Sequence, residues 1–311
     1  MHYSPAPLHI PDGFLSFIVS AVCWAISALV LSVAISRTNR SLGEKQVPLM
    51  GVMAAFIFAA QMINFPVAGG TSGHLLGGAL AAIVLGPWAA MVVMTAVIAV
   101  QSLLFQDGGL LVMGANILNM GLITSVIGYG LYRAVFGRSR RVRLLVAGCA
   151  AWLSVMAGAL ATALQLWLSG TSHLQTVTLS MLGVHALIGI GEALITVAAL
   201  TFIFQTRPDL VGEGSVAARG GRGWALAGVV LSLVVVLISP FASANPDGLE
   251  RVATDLGFIN TGQSAVYKIL PDYTLPLLGQ TPLSTIMAGV IGMLVVLALA
   301  LMAGRSLQKR S

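Results

Sequence analysis

Charge is scarce in this sequence. Only 8% of its 311 residues are Asp, Glu, Lys or Arg, about a third of the share in an ordinary globular domain, which excludes a soluble enzyme. Lysine occurs at Lys45, Lys268 and Lys309 alone, and none of them directly follows a glycine as the lysine of G-x-x-x-x-G-K-[ST] does. The chain therefore has no phosphate-binding loop of that kind, and any ATP that drives it is hydrolysed on another subunit. Both cysteines, Cys23 and Cys149, sit inside apolar runs, which argues against a disulfide framework and a thiolate metal site. No H-E-x-x-H is present, so an intramembrane metallo-enzyme has little support. No internal repeat stands out either, and the inverted-repeat logic of many secondary transporters finds no footing.

What is abundant is apolar sequence: 57% of the chain, with mean hydropathy +0.94. A bilayer core takes about 20 apolar residues per helix, so the expected fold is an all-α polytopic membrane protein. Hydropathy places spans at 14–36, 47–65, a long run at 73–105, then 112–135, 144–169, 180–206, 224–243 and 283–304. Of the 16 basic residues, 14 fall in four clusters, around Arg37, Arg138, Arg219 and Lys309. Short clusters between apolar runs are a topology signal rather than a nucleic-acid surface, and the positive-inside rule puts all four in the cytoplasm. A single span over 73–105 would place the cluster at Arg133 to Arg143 on the wrong side, so the run must cross twice. Gly86-Pro87 is where it can break, because proline removes a backbone donor and biases the preceding residue away from helix. About nine segments result, with the N-terminus outside and the C-terminus inside. The Gly- and charge-rich stretch 207–223 reads as a cytoplasmic linker between a bundle, 1–206, and a two-helix module, 224–311, with a long outer loop.

That topology puts 1–13, 66–72, 106–116, 169–180 and 244–282 outside. His2, His9, His74 and His173 lie in or beside these segments, and His185 about one turn into a helix starting on that face. Imidazoles with few carboxylates and no thiolate suit nickel, cobalt, copper or zinc better than calcium or magnesium. The plainer reading of any one histidine is a ring bonded to a backbone carbonyl. His74 ends a glycine-rich approach, Gly69-Gly70-Thr71-Ser72-Gly73-His74, and irregular backbone at membrane depth is tolerated where it lines a cavity or is buried in protein. Asp107-Gly108-Gly109 marks the next outer loop. Asn116 and Asn119, three apart, share a helix face and are candidates to orient a ligand histidine, or to pack between helices. Glu192, seven residues after His185, is an intramembrane carboxylate and so a functional candidate. Gly51, Ala55 and Ala59 form a small-residue stripe, a candidate face for a partner helix. The acidic residues of 244–282 either draw cations to the outer face or are simply solvated.

Four motifs carry a resemblance: His9-Ile-Pro-Asp-Gly-Phe-Leu-Ser16, Gly69-Gly-Thr-Ser-Gly-His-Leu-Leu-Gly-Gly78, Phe105-Gln-Asp-Gly-Gly109 with Gly114-Ala-Asn-Ile-Leu-Asn-Met-Gly121, and His185-Ala-Leu-Ile-Gly-Ile-Gly-Glu-Ala-Leu194. Over residues 8–206 the sequence resembles the NikM/CbiM family, the substrate-capture components of energy-coupling factor transporters for nickel and cobalt. Asn245-Pro-Asp-Gly-Leu-Glu-Arg-Val-Ala-Thr-Asp-Leu-Gly-Phe258, between the last two spans, resembles the accessory NikN or PDGLE-type module, here fused. The resemblance implies a seven-helix capture domain in the cell membrane, a membrane coupling subunit and cytoplasmic ATPases as partners, no prosthetic group, and Ni(II) or Co(II) as transported substrate, with cobalt serving cobalamin biosynthesis. Pro11-Asp12-Gly13 leans towards nickel. It further implies a square-planar site built from the N-terminal amine, the backbone nitrogen and imidazole of the second residue, and a histidine matching His74, a geometry suited to Ni(II). The family begins Met-His-Ile-Pro-Asp-Gly, whereas here Met1 to Pro7 precede Leu8-His9. Two leucine codons, TTG and CTG, also serve as bacterial initiators, and translation from codon 8 would restore that beginning; the rival is a site on Met1-His2. His9 and His74 are thus the expected ligands, with His2, Asn116, Asn119 and His185 as further candidates. A stand-alone secondary transporter or channel for divalent metals is the alternative function.

Overall fold

The computed structural model describes residues 9–43, 46–208 and 223–308. The first helix, α1 (Phe17–Ser41), is capped by Ser16, whose hydroxyl accepts from the Val19 amide. After α2 (Gln46–Gln61) the chain forms a small antiparallel hairpin, β1 (Phe65–Val67) with β2 (Thr71–Gly73). This departs from the plain loop expected at 66–72. Gly69 and Gly70 turn the hairpin at φ values of 82° and 69°, which a side chain would resist.

The run at 73–105 breaks where proline predicts it should. α3 (Gly78–Leu85) stops at Gly86, φ 81°, and α4 (Pro87–Val100) starts on Pro87 and runs on into a π-helical turn, Gln101–Phe105. The next span is one continuous helix with a π-helical middle: α5 (Met113–Asn116), a π segment Ile117–Ile123, and α6 (Thr124–Arg133). π turns concentrate at functional sites, and these two bracket the loop that carries Asp107. Long helices α7 (Arg140–Leu168) and α8 (Leu174–Thr206) come next, packed against each other. α8 begins earlier than hydropathy suggested because nothing in 174–180 breaks a helix. His185 therefore sits about three turns in rather than one.

Six helices among the described residues are long and apolar enough to cross a membrane; α2 and α3 are shorter and apolar, and the 113–133 helix is interrupted by its π turns. The protein is a multi-pass helical membrane protein. Cys23 is buried and Cys149 exposed, and both are free. Arg140 donates to the Thr201 carbonyl at 3.0 Å and the Arg143 guanidinium lies 4.7 Å from the Phe204 ring centroid, so this basic cluster gathers at the end of α7 and α8 remote from His9.

The last two apolar helices, α9 (Gly223–Ile238) and α11 (Pro282–Gln308), both pack along α2. A Cβ placed on Gly51 would lie 2.8 Å from Leu301 Cδ2, and one on Gly289 would lie 2.7 Å from Met62 Cε. Close approach of this kind is what small residues permit. It corrects the expectation of a free docking stripe at Gly51, Ala55 and Ala59: α11 of the same chain already covers Gly51, and both alanines are fully buried. Between α9 and α11 the chain folds back over the end of the bundle that holds His9, forming one short helix, α10 (Gly248–Asp255), on the way.

Candidate metal-capture site

The segment before α1 is pinned in place from both sides. Ile10 N–H donates to Asn116 Oδ1 at 3.1 Å, and Asn116 Nδ2 and Gly109 N–H donate back to the Ile10 carbonyl at 3.1 and 3.0 Å. Two residues on, the Asp12 carboxylate accepts from the amides of Leu110, Leu111 and Val112 at 2.9 to 3.2 Å. Those amides open α5, so Asp12 caps a helix from outside it, where a negative group meets the positive end of the dipole. The glycine pair has a reason as well: Gly108 has φ 93° with Asn116 Nδ2 and His9 Cβ close by, and a side chain on Gly109 would run into Asp12.

His9 is thereby buried, at 2% exposure. Its Nδ1 faces Asp107, 3.2 Å from the carbonyl oxygen and 3.5 Å from Oδ1, while Nε2 is buried with no hydrogen-bond partner among the described residues. The His74 ring stands edge-on to it with centroids 5.5 Å apart. His74 Nδ1 lies 3.0 Å from the Leu75 carbonyl, and the amides just beyond, of Leu76 and Gly77, donate to Glu192 Oε2 and Oε1 at 2.6 and 2.9 Å. Glu192 therefore holds the start of α3 and with it the main chain that carries His74. His185 Nδ1 lies 2.8 Å from the Met181 carbonyl within its own helix. The three rings line one cavity of about 70 Å³, shared with Asn116, Asn119 and Asp247. Each histidine thus has one ring nitrogen on a carbonyl, the plainer reading of such a residue, and also what orients an imidazole ligand.

The roof of the cavity comes from the far end of the sequence. Ser72 N–H donates to the Pro246 carbonyl at 2.8 Å, Ser72 Oγ to the Asn245 carbonyl at 2.8 Å, and Gln263 N–H to the Asp12 carbonyl at 2.7 Å. Asp247 caps α10 by accepting from the Glu250 amide, and burial pushes its carboxyl up to about 8. Gly248 lies so close to His185 that a Cβ there would be 2.8 Å from the ring Cε1. Further along, Tyr273 stacks on Phe105 at 4.6 Å and donates to Asp107 Oδ2 at 2.6 Å. Burial, then the charge of Asp107, hold the Tyr273 hydroxyl protonated, well above its ordinary value.

The structure thus gathers His9, His74, His185, Asn116 and Asn119 around one cavity. His2 lies outside the described residues. The two asparagines do not work as a pair: the π turns between them aim Asn116 at the Ile10 backbone, whereas Asn119 exchanges hydrogen bonds with Gln165 at 2.8 Å and donates to Thr162 at 3.1 Å. Asn116 fixes the segment that carries His9, and Asn119 ties the helix to α7. Among the described residues no three His, Cys, Asp or Glu side chains converge as a ready-made metal site. A chelate through His9's own amide nitrogen closes a six-membered ring only with Nδ1, the nitrogen that here faces Asp107. The sequence offered Asp247 only as one of several acidic loop residues that draw cations or are solvated, and it turns out buried at the cavity; Tyr273 was missed, because nothing in a long polar loop signals which side chain will turn inward.

Residues 9–210 match the family model described as the cobalt uptake substrate-specific transmembrane region, CbiM, and residues 222–309 match the PDGLE domain. The chain belongs to the CbiM family. It is 36% identical over 301 residues to the putative fused nickel transport protein NikMN of Archaeoglobus fulgidus, covering 94% of this chain and 96% of that one. The fused nickel transport protein NikMN of Rhodobacter capsulatus is 28% identical over 98% of this chain and 100% of its own. A solved transition metal transporter, 35% identical, superposes with a TM-score of 0.59 over 68% of this chain and 100% of its own. In these terms His9, His74, Asn116, Asn119, His185 and Glu192 lie in the CbiM region, and Asp247, Gly248 and Tyr273 in the PDGLE domain that roofs it. The family is one of nickel and cobalt transport proteins.

Proposed function

We propose that this CbiM-family chain is the substrate-capture subunit of an ATP-driven importer of Ni(II), with Co(II) as the other candidate, and that it takes the ion on the extracytoplasmic face. The observation that carries this reading is the His9 ring: a buried nitrogen without a hydrogen-bond partner among the described residues, beside His74 at 5.5 Å, in a cavity of about 70 Å³ that has room for an ion and a few waters. Metal–nitrogen bonds are about 2 Å, so rings at that separation are within reach of one ion. His9 and His74 are the ligands we assign, and His185 borders the same space. Main-chain nitrogens or water complete a tetragonal set, which favours Ni(II). Loading through the His9 amide requires the ring to turn its Nδ1 from Asp107 and the amide to lose its proton, so that mode couples affinity to pH. Residues 1–206 then form the capture unit, 207–223 a cytoplasmic linker and 224–311 the accessory module. The basic cluster at the start of α7, remote from His9, agrees with that sidedness.

ATP hydrolysis and coupling belong to separate membrane and cytoplasmic subunits. Uptake of radioactive Ni(II) by cells expressing this chain with and without a coupling subunit and ATPases tests the assignment. Uptake that needs all components and stops in His74→Ala supports it; full uptake by the chain alone overturns it in favour of a stand-alone transporter. Sequencing of the mature N-terminus decides between a start at Met1 and one at codon 8.

A further inference from the structure

The PDGLE domain does more than cover the cavity: one of its side chains bonds to the aspartate that faces His9. Tyr273 donates from its hydroxyl to Asp107 Oδ2 at 2.6 Å and accepts from Gln101 Nε2 at 3.2 Å. Asp107 is 3% exposed, and its Oδ1 makes no hydrogen bond among the described residues, lying 3.5 Å from His9 Nδ1. The Tyr273 hydroxyl is therefore what fixes the carboxylate, and the carboxylate with its own carbonyl is what faces the Nδ1 edge of His9. The tyrosine is held there with care. Leu270 N–H donates to the Leu104 carbonyl at 2.9 Å, the ring stacks on Phe105, and Asp272 and Tyr273 both take left-handed backbone, φ 51° and 54°. Non-glycine residues in that region are strained and persist where the surroundings demand them.

We infer that Tyr273 is a positioning residue of the metal site, acting through Asp107 to set the His9 imidazole so that Nε2 opens to the cavity. The fused domain thereby preorganises a ligand that belongs to the capture region. Partners behind ligand imidazoles typically change metal affinity about 10- to 100-fold.

This inference rests on the capture reading, and one set of titrations separates the two. The full chain in nanodiscs is titrated with Ni(II) and Co(II), beside Tyr273→Phe, Asp107→Asn, the double variant and His9→Ala. Tyr273→Phe keeps the ring on Phe105 and loses only the hydroxyl. The expected result is a drop of at least about tenfold in affinity, a double variant no weaker than Asp107→Asn alone, and a shifted visible spectrum of the saturated Co(II) form in Tyr273→Phe and in Asp107→Asn. Tyr273→Phe within twofold of wild type, losses that multiply in the double variant, or unchanged spectra each overturn the inference. If wild type fails to bind, or His9→Ala binds as wild type does, the capture reading falls with it. Binding that is lost in His9→Ala but unaltered in Tyr273→Phe sinks the role of Tyr273 alone.

Discussion

Glu192→Gln is the substitution whose effect can be worked out most fully. The residue is fully buried in α8, and its two oxygens accept from consecutive amides, Leu76 at 2.6 Å and Gly77 at 2.9 Å, at the start of α3. A carboxamide matches the shape but offers one acceptor; its NH₂ then faces an N–H that has no other partner. A hydrogen bond to a charged group contributes about 1.5–3 kcal/mol, and a helix dipole adds to the preference for a carboxylate. Taking about 2 kcal/mol as the holding energy lost, and 1.4 kcal/mol per tenfold change, release of the chain two residues beyond His74 weakens metal binding by up to about 30-fold. The metal-free chain should also lose about 2 kcal/mol of stability. Calorimetric titration with Ni(II) and thermal unfolding of the metal-free chain in the same detergent read the two effects. A Glu192→Gln chain that binds metal within twofold of wild type and melts with it would refute the view that this carboxylate positions His74.

Other consequences arise from the same geometry. Asp12→Ala leaves the amides of Leu110, Leu111 and Val112 without their acceptor, and should cost about 1–2 kcal/mol in thermal unfolding; Asp12→Asn keeps an acceptor and should cost less. Gly248→Val puts a branched side chain where even a Cβ is 2.8 Å from the His185 ring and 2.7 Å from Ile188 Cδ1, so amide exchange over 245–256 should speed up while the membrane helices stay protected. Burial first, then the charge of Asp107, push Asp272 from 3.8 to about 6, against the pull of Lys268. A carboxyl raised in the folded state binds protons more tightly there than when unfolded, so its contribution is complete below about pH 4 and is lost as pH rises through about 6. Protection factors over 270–275 should accordingly fall between pH 4 and 7, and Asp272→Asn should flatten that dependence.

Much of the fold was legible because the bilayer leaves few choices. Low charge and long apolar runs point to a helical membrane protein, and the conflict between basic clusters and the 73–105 run located the break at Gly86-Pro87, where the structure has it. Hydropathy was weaker at helix ends: α8 reaches back to Leu174 because a helix can extend beyond the apolar core, so His185 lies farther from the helix start than expected. His74 stood out as a candidate through the glycines before it, and His9 only through the resemblance carried by His9-Ile-Pro-Asp-Gly. The small-residue stripe on α2 was visible too, but which helix fills it depends on the distant α11. Likewise Asp247 and Tyr273 reach the site through a long loop whose path is set by tertiary contacts with Ser72, Asp12 and Leu104, none of which leaves a local pattern.

We propose that His9 and His74 together hold the transported ion. Calorimetric titration of the purified chain with Ni(II), beside His9→Ala and His74→Ala, puts this to the test. One tight site per chain, lost in both variants and open to competition by Co(II), is the expected result. Retention of the same stoichiometry and affinity in either variant would place the ion elsewhere.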